Sequence, residues 1–308
     1  MTTASPVTQA LFPGFEDRLV EVSEGIHIAA VVGGNGPPLL LLHGHPQTHA
    51  IWHKVAPALA QRFTVVAADL RGYGDSSKPP GDADHANYAK RTLANDFISL
   101  MRHLGFTQFD VLAHDRGARV AHRLAVDHPQ AVRRLVTLDI APTVAMYEQT
   151  SEAFARAYWH WFFLIQPAPL PERLIEADPK AYIRDVMGRR SAGLSPFDPR
   201  ALAEYERCIA LSGAAHGVCE DYRAAAGIDL EHDRADRDAA RLVQQPMLAL
   251  WGAQGVVHKC FKPLEEWQKA ARDVRGQPLP CGHYIAEEAP DVLLEHVLPF
   301  LSVPWAKA

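Results

Sequence analysis

Short runs of uninterrupted apolar residues constrain this chain more than any other feature. They occur in "PPLLLLHG", "FTVVAADL", "FDVLAH", "RRLVTLD", "PMLALWG" and, more weakly, "DVRGQPLP". Each is long enough for a strand, and none alternates apolar with polar, so the predicted strands are buried on both faces, as in a parallel sheet. Amphipathic stretches separate several of them. In "KRTLANDFISLMRHLG" (90–105), Leu93, Phe97, Leu100, Met101 and Leu104 share one helical face, and Gly105 supplies a C-terminal stop. Alternating strand and helix predicts an α/β fold, a mostly parallel sheet with helices on both faces. A hairpin opens the chain, with "RLVEVS" and "IHIAAVV" flanking Glu24 and Gly25.

The alternation fails between 144 and 240. That stretch holds helix formers and aromatics ("SEAFARAYWHWFFLI", "DPRALAEYERCIAL", "CEDYRAAAGIDLEHDRADRDAARL") without a convincing buried strand. The sheet pattern resumes at "PMLALWG". The expectation is one core domain made of 1–143 and 241–308, with 144–240 as a helical cap seated on it as a lid.

A chain of 308 residues, 48% apolar, can bury a large core. A formal net charge of −5, with no Lys/Arg block suited to phosphates, argues against a nucleic-acid partner. Cys208, Cys219, Cys260 and Cys281 lack CxxC spacing, so neither a zinc ribbon nor a redox pair is expected. No stretch approaches the roughly 20 apolar residues that span a bilayer, and the opening "MTTASPVTQALFPGF" lacks the basic and apolar regions of a leader. The expectation is a soluble, cytoplasmic protein without a membrane partner.

The chemistry concentrates at "DVLAHDRGARVAHRLAVDHP" (110–129). Here a strand meets a helix through Ala113-His114-Asp115-Arg116-Gly117, a small-x-nucleophile-x-small corner that exposes its central side chain above the sheet. Serine at such a corner attacks carbonyls. A carboxylate is better suited to displacing a leaving group from saturated carbon, leaving an ester, so Asp115 points to alkyl transfer. Taken alone, Asp115 also suits a helix N-cap. The layout then calls for an acid and a late histidine. "LPCGHYIAEEAP" supplies His283 after a glycine and before a helix-like run. No carboxylate follows "MLALWG" through Val256, whereas "RRLVTLDIAP" ends in Asp139 near the same sheet edge, where it could orient the imidazole. The loop "HGHPQ" (43–47) would offer the backbone N–H of His45 to an anion hole, with that of Arg116 as the second donor.

These residues, with "DLRGYGDSSKP" at 69–79, resemble the α/β-hydrolase superfamily over nearly the whole chain. More narrowly, "HDRGARVAHRLA", "YWHWFF", Asp139 after its strand and "GHYIAEE" resemble the haloacetate dehalogenases, the fluoroacetate dehalogenases in particular. The resemblance implies Asp115 as nucleophile, His283 as general base and Asp139 as its partner. It further implies Arg116 and Arg119 as a clamp for the substrate carboxylate, and His160, Trp161 and Tyr222 as the halide pocket. A homodimer and hydrolysis of a small anionic haloacid by water, without metal or organic cofactor, are implied too. Phenylalanine is common in that family where this chain has His45.

General chemistry fits these roles. Two guanidinium groups beside a small cavity are costly unless an anion joins them. Three donors to a leaving halide, at roughly 1.5–3 kcal/mol each, supply about 4–9 kcal/mol, or roughly three to six decades in rate if realised only in the transition state. The nearest rival is an epoxide hydrolase with the same Asp and His, using tyrosines among Tyr158, Tyr205 and Tyr222 as acids. Paired arginines disfavour it, since an epoxide is neutral. A non-catalytic receptor on this scaffold is the rival from another class, and turnover abolished by Asp115→Ala separates the two.

Overall fold

The computed structural model describes residues 6–190 and 192–303. The outer ends of the expected core domain (1–5 and 304–308), and with them the start of the segment inspected for a leader, lie outside the described residues.

The apolar runs form an eight-stranded sheet. Its strands are β1 (Glu16–Ser23), β2 (Ile26–Gly33), β3 (Pro38–Leu42), β4 (Thr64–Ala68), β5 (Phe109–His114), β6 (Val132–Leu138), β7 (Met247–Gly252) and β8 (Val274–Leu279), in the order β1-β2-β4-β3-β5-β6-β7-β8. β1 and β2 form the expected hairpin about Gly25 (φ 70°), and β2 runs antiparallel to β4. All remaining pairs are parallel. β3, β5 and β7 are buried along their whole length, which is why their sequences show no alternation. β8 is an edge strand and mostly exposed, so "DVRGQPLP" carries the weakest pattern and tolerates Pro278.

The chain leaves β3 towards β4 on one side and returns to β5 on the other, with Leu42 level with Ala113. The loops beyond the C-terminal ends of β3 and β5 therefore diverge, opening a crevice where such sheets bind ligands. The helices Lys90–His103 and Asp115–Asp127 pack against each other, and Gly105 (φ 88°) ends the first as expected.

Between β6 and β7 the described residues form eight helices and no strand, beginning at Thr143, one residue before the expected cap. Local signals start several of them. Asp178 and Asp198 each precede a proline at the first helical position and accept an N–H from Ala181 (3.0 Å) and Arg200 (2.8 Å). Ser151 accepts from Phe154 (3.2 Å). Two long amphipathic stretches are broken, at Tyr158 and at Gly227. Trp161, Tyr205 and Tyr222 from this segment join the same apolar cluster as the sheet residues Leu42, Ala113 and Leu138.

Candidate active site

β5 delivers Asp115 to the crevice with φ 45°, the left-handed strain of a sharp corner, and the helix Asp115–Asp127 starts there. Tight packing explains the small neighbours. A Cβ on Gly117 would stand 2.3 Å from the His43 carbonyl oxygen, and one on Gly44 would stand 2.4 Å from the Asp115 Cβ. The loop after β3 can therefore lie directly on the carboxylate. From it the His45 backbone N–H donates to Asp115 Oδ1 at 2.9 Å. Arg116 follows in the first helical turn, where backbone N–H groups lack intrahelical acceptors. Burial by itself would raise the Asp115 carboxyl, but His283, His114, Arg119 and Arg116 outweigh it and hold the group well below the usual carboxylate range.

The late histidine arrives beside it. His283 Nδ1 lies 2.5 Å from Asp139 Oδ2, and Asp139 Oδ1 accepts the Gly252 backbone N–H at 2.9 Å. Asp139 sits just past β6, whose neighbour β7 ends at Gly252, so the sheet edge places the carboxylate that the loop after β7 lacks. Burial pushes the Asp139 carboxyl up to about 7 and the His283 imidazole down to about 3, the latter aided by Arg190. Above pH 7 the pair holds a single proton across a short contact, and His283 is neutral. Its Nε2 is buried without a partner, free to accept a proton.

The surroundings of Asp115, its chamber, are closed to solvent: Asp115, His160, Trp161, Tyr222 and His283 are each at most 4% exposed. The break at Tyr158 restarts a short helix, Trp159–Leu164, whose first turn carries His160 and Trp161. Although adjacent helix positions diverge by about 100°, both rings reach Tyr222, with centroids 6.0 and 6.3 Å from it. Trp161 Nε1 and the Tyr222 hydroxyl are buried with no acceptor. His160 stacks on His45 at 5.8 Å, and burial, with Arg190 and His45, keeps its imidazole well below its ordinary pKa. The Tyr158 hydroxyl stands 3.4 Å from His283 Nδ1. Phe162 and Phe163 do pack against the apolar cluster.

The arginines depart from the expectation. Arg116 and Arg119 both enter the chamber, with their guanidinium carbons 4.1 Å from the Tyr222 ring centre and 4.7 Å from that of Trp161. Arg116, however, is neutralised by Asp221, through Nε to Oδ2 at 2.6 Å and Nη2 to the backbone oxygen at 2.7 Å, which leaves Nη1 free. Asp221 also pairs with Lys90 at 2.5 Å. Among the described residues Arg119 has only neutral partners, Thr143 Oγ1 (3.0 Å), the Ala141 carbonyl (3.3 Å) and Met146 Sδ (3.1 Å), and its Nε has none. The resemblance implies that both arginines clamp an anion; in the fold one of them already has a carboxylate partner, Asp221, from the helices between β6 and β7.

Residues 37–290 match the alpha/beta hydrolase fold family. The chain belongs to that family. It is 47% identical to a fluoroacetate dehalogenase of Burkholderia sp over 95% of each chain. It is 34% identical to a soluble epoxide hydrolase of Corynebacterium sp. (strain C12), over 90% of this chain and 94% of that one. The crystal structure of ALR0039 from Nostoc sp PCC 7120 superposes with a TM-score of 0.91 at 52% identity, covering 94% of this chain and 99% of that one. The protein is thus a haloacetate-dehalogenase-like α/β hydrolase.

Sequence reasoning missed several residues that line this α/β hydrolase's chamber. Tyr182 places its hydroxyl 3.0 Å from His45 Nε2, Arg190 lies 4.3 Å from the Tyr158 ring centre, and Asp221 masks Arg116. Only Asp221 had a usable signal, its position beside Tyr222 in "CEDYR". Tyr205, one of the tyrosines considered for an epoxide site, is instead held by Glu287 at 2.6 Å. Outside the chamber Asp75, Glu204 and Cys208 cluster closely enough to suit a cation, but Arg207 already pairs with both carboxylates, at 2.7 and 2.6 Å. Among the described residues no helix is long and apolar enough to cross a membrane.

Proposed function

We propose that this hydrolase cleaves the carbon–halogen bond of haloacetates, fluoroacetate and chloroacetate among them, to glycolate and halide through an ester on Asp115. One observation carries the reading: beside an ionised buried carboxylate, the Trp161 N–H and the Tyr222 O–H stand buried with nothing to donate to. Orphaned donors of this kind are costly unless an anion completes them, and a departing halide is such an anion.

Asp115 Oδ1 is held by the His45 N–H, so the other oxygen attacks the α-carbon in line, and the carbon–halogen bonding pair leaves with the halide into the His160–Trp161–Tyr222 corner. Arg116 Nη1 and Arg119 Nε donate to the substrate carboxylate. Water then adds to the Asp115 carboxyl carbon while His283 Nε2 takes its proton. The oxyanion that forms is met by the His45 and Arg116 backbone N–H groups. Collapse expels the glycolate oxygen, which receives that proton, and the hydroxyl left on Asp115 gives its proton to solvent, restoring the carboxylate. Asp139 keeps Nδ1 protonated and the ring oriented throughout. In this reading 144–240 acts as the cap over a core of 1–143 and 241–308. A cytoplasmic homodimer belongs to the same reading, and sedimentation of the purified chain tests the dimer.

The test is halide release from fluoroacetate and chloroacetate by the purified protein, with Asp115→Ala as control. Fluoride release lost in the variant supports the whole reading, and chloride release alone removes fluoroacetate from it. An epoxide hydrolase is the second reading, favoured by the Corynebacterium relative and by the free Tyr222 hydroxyl beside Asp115. Opening of a styrene-type epoxide without halide release would replace the first reading by this one.

A further inference from the structure

We propose that Arg190, contributed by the cap, is a further specificity-determining residue: together with Arg119 it supplies the uncompensated positive charge that selects a carboxylate-bearing substrate. The inference rests on the haloacid reading and extends it to a residue with no part in the sequence-based clamp.

Arg71, Arg116, Arg123, Arg134 and Arg223 are buried, and each forms an ion pair, with Asp96, Asp221, Asp233, Asp110 and Glu172 respectively. Among the described residues neither Arg119 nor Arg190 has a carboxylate within ion-pair distance, and both reach the chamber. Arg190 follows the helix Pro179–Gly188. The residue is partly exposed, yet its Nη1 is buried without a hydrogen-bond partner, so the side chain runs from the protein surface to the interior. Its guanidinium lies 4.3 Å from the ring centre of Tyr158, the residue whose hydroxyl approaches His283.

Its charge acts on Tyr158, His160, Tyr182 and Tyr284, on His45 and His283, and on the two carboxylates Asp115 and Asp139. The only acids in this set are the nucleophile and the partner of the base. An anionic substrate brings a second negative charge next to Asp115. Arg119 alone would only balance the nucleophile, and Arg116 is spent on Asp221. A chamber that welcomes a carboxylate thus needs one more cation, and Arg190 is the remaining one.

Arg190→Gln and Arg190→Lys test this by chloride release from chloroacetate and from chloroacetamide, which share size and leaving group and differ in charge, with Asp115→Ala as the blank. The glutamine variant is expected to lower the acid-to-amide ratio of kcat/KM by about 10- to 100-fold, the scale of one charge-assisted hydrogen bond, and lysine to restore most of it. Equal losses on both substrates would mean that Arg190 merely props Tyr158, and no loss would remove it from recognition; either overturns the proposal. Thermal stabilisation by acetate needs no turnover and runs alongside, with weaker protection expected in Arg190→Gln. Protection that is absent, or equal in the two proteins, also overturns it. Wild-type protein that releases chloride from neither substrate refutes the haloacid reading instead, and the acetate titration then still decides Arg190.

Discussion

Replacing Tyr222 by phenylalanine should move stability and activity in opposite directions. The hydroxyl is fully buried and has no hydrogen-bond partner in the free protein, while the ring is held by His45, His160, Trp161 and Arg116, contacts that phenylalanine keeps. Burying an unsatisfied polar group costs about 1–3 kcal/mol, so Tyr222→Phe removes that cost. For a chain of 308 residues, the gain corresponds to about 2–5 °C in Tm. On the proposed mechanism the same hydroxyl donates to the departing halide in the transition state. Its loss there costs about 1.5–3 kcal/mol, or roughly 10- to 150-fold in kcat. Fluoride concentrates its charge most, so the loss should be larger for fluoroacetate than for bromoacetate. Scanning calorimetry and a fluoride electrode, with ion chromatography for bromide, measure both sides. A higher Tm with unchanged rates would remove Tyr222 from the halide pocket. A lower Tm would mean that the hydroxyl is satisfied in the resting protein and that the argument starts from a false premise.

Other perturbations test other parts of the site. His283→Asn should release one equivalent of halide and stall as an adduct on the Asp115 peptide, visible by intact-protein mass spectrometry; a variant that turns over normally excludes His283 as the base. Because burial raises Asp139 to about 7 while burial first, then Arg190, lowers His283 to about 3, the pair takes up its second proton near pH 7, and kcat should fall as pH drops from 7 to 5.5. A rate that stays level to pH 5.5 would contradict that. Asp221→Asn leaves Arg116 buried and uncompensated and should cost about 3–5 kcal/mol in denaturant unfolding; a loss below 1 kcal/mol would mean that the pair is not what holds Arg116. Burial pushes Glu287 up to about 7 from 4.5, so the folded chain keeps a proton that the unfolded chain releases, and stability falls as pH rises through that window. Glu287→Gln should therefore raise Tm at pH 8 and leave it near wild type at pH 5, whereas a lower Tm at pH 8 would show that the Lys54 contact at 3.4 Å dominates.

The elements that could be read from the chain are those whose cause is local. A strand buried on both faces must be apolar throughout, so β3, β5 and β7 announce themselves. A nucleophile corner needs small residues at set offsets, so Asp115 and Gly117 stand out, and His283 follows from a glycine and a helix start around it. Asp139 was reachable by elimination, since no acid follows β7. It takes the role because β6 and β7 are neighbours in the sheet.

Charge compensation could not be read in this way. Arg116 and Asp221 are 105 positions apart, and no pattern near either reveals which guanidinium is masked and which is left to face a ligand. Tyr182 on His45 has the same origin, since the helices between β6 and β7 fold back over a sheet edge built from distant segments, while Arg190 on Tyr158 is a contact within that helical segment. Backbone periodicity and turn strain are properties of contiguous residues, and the sequence carries them openly. The field inside a closed chamber depends on which side chains share a dry space, and only the packing of the inserted helices on the sheet decides that.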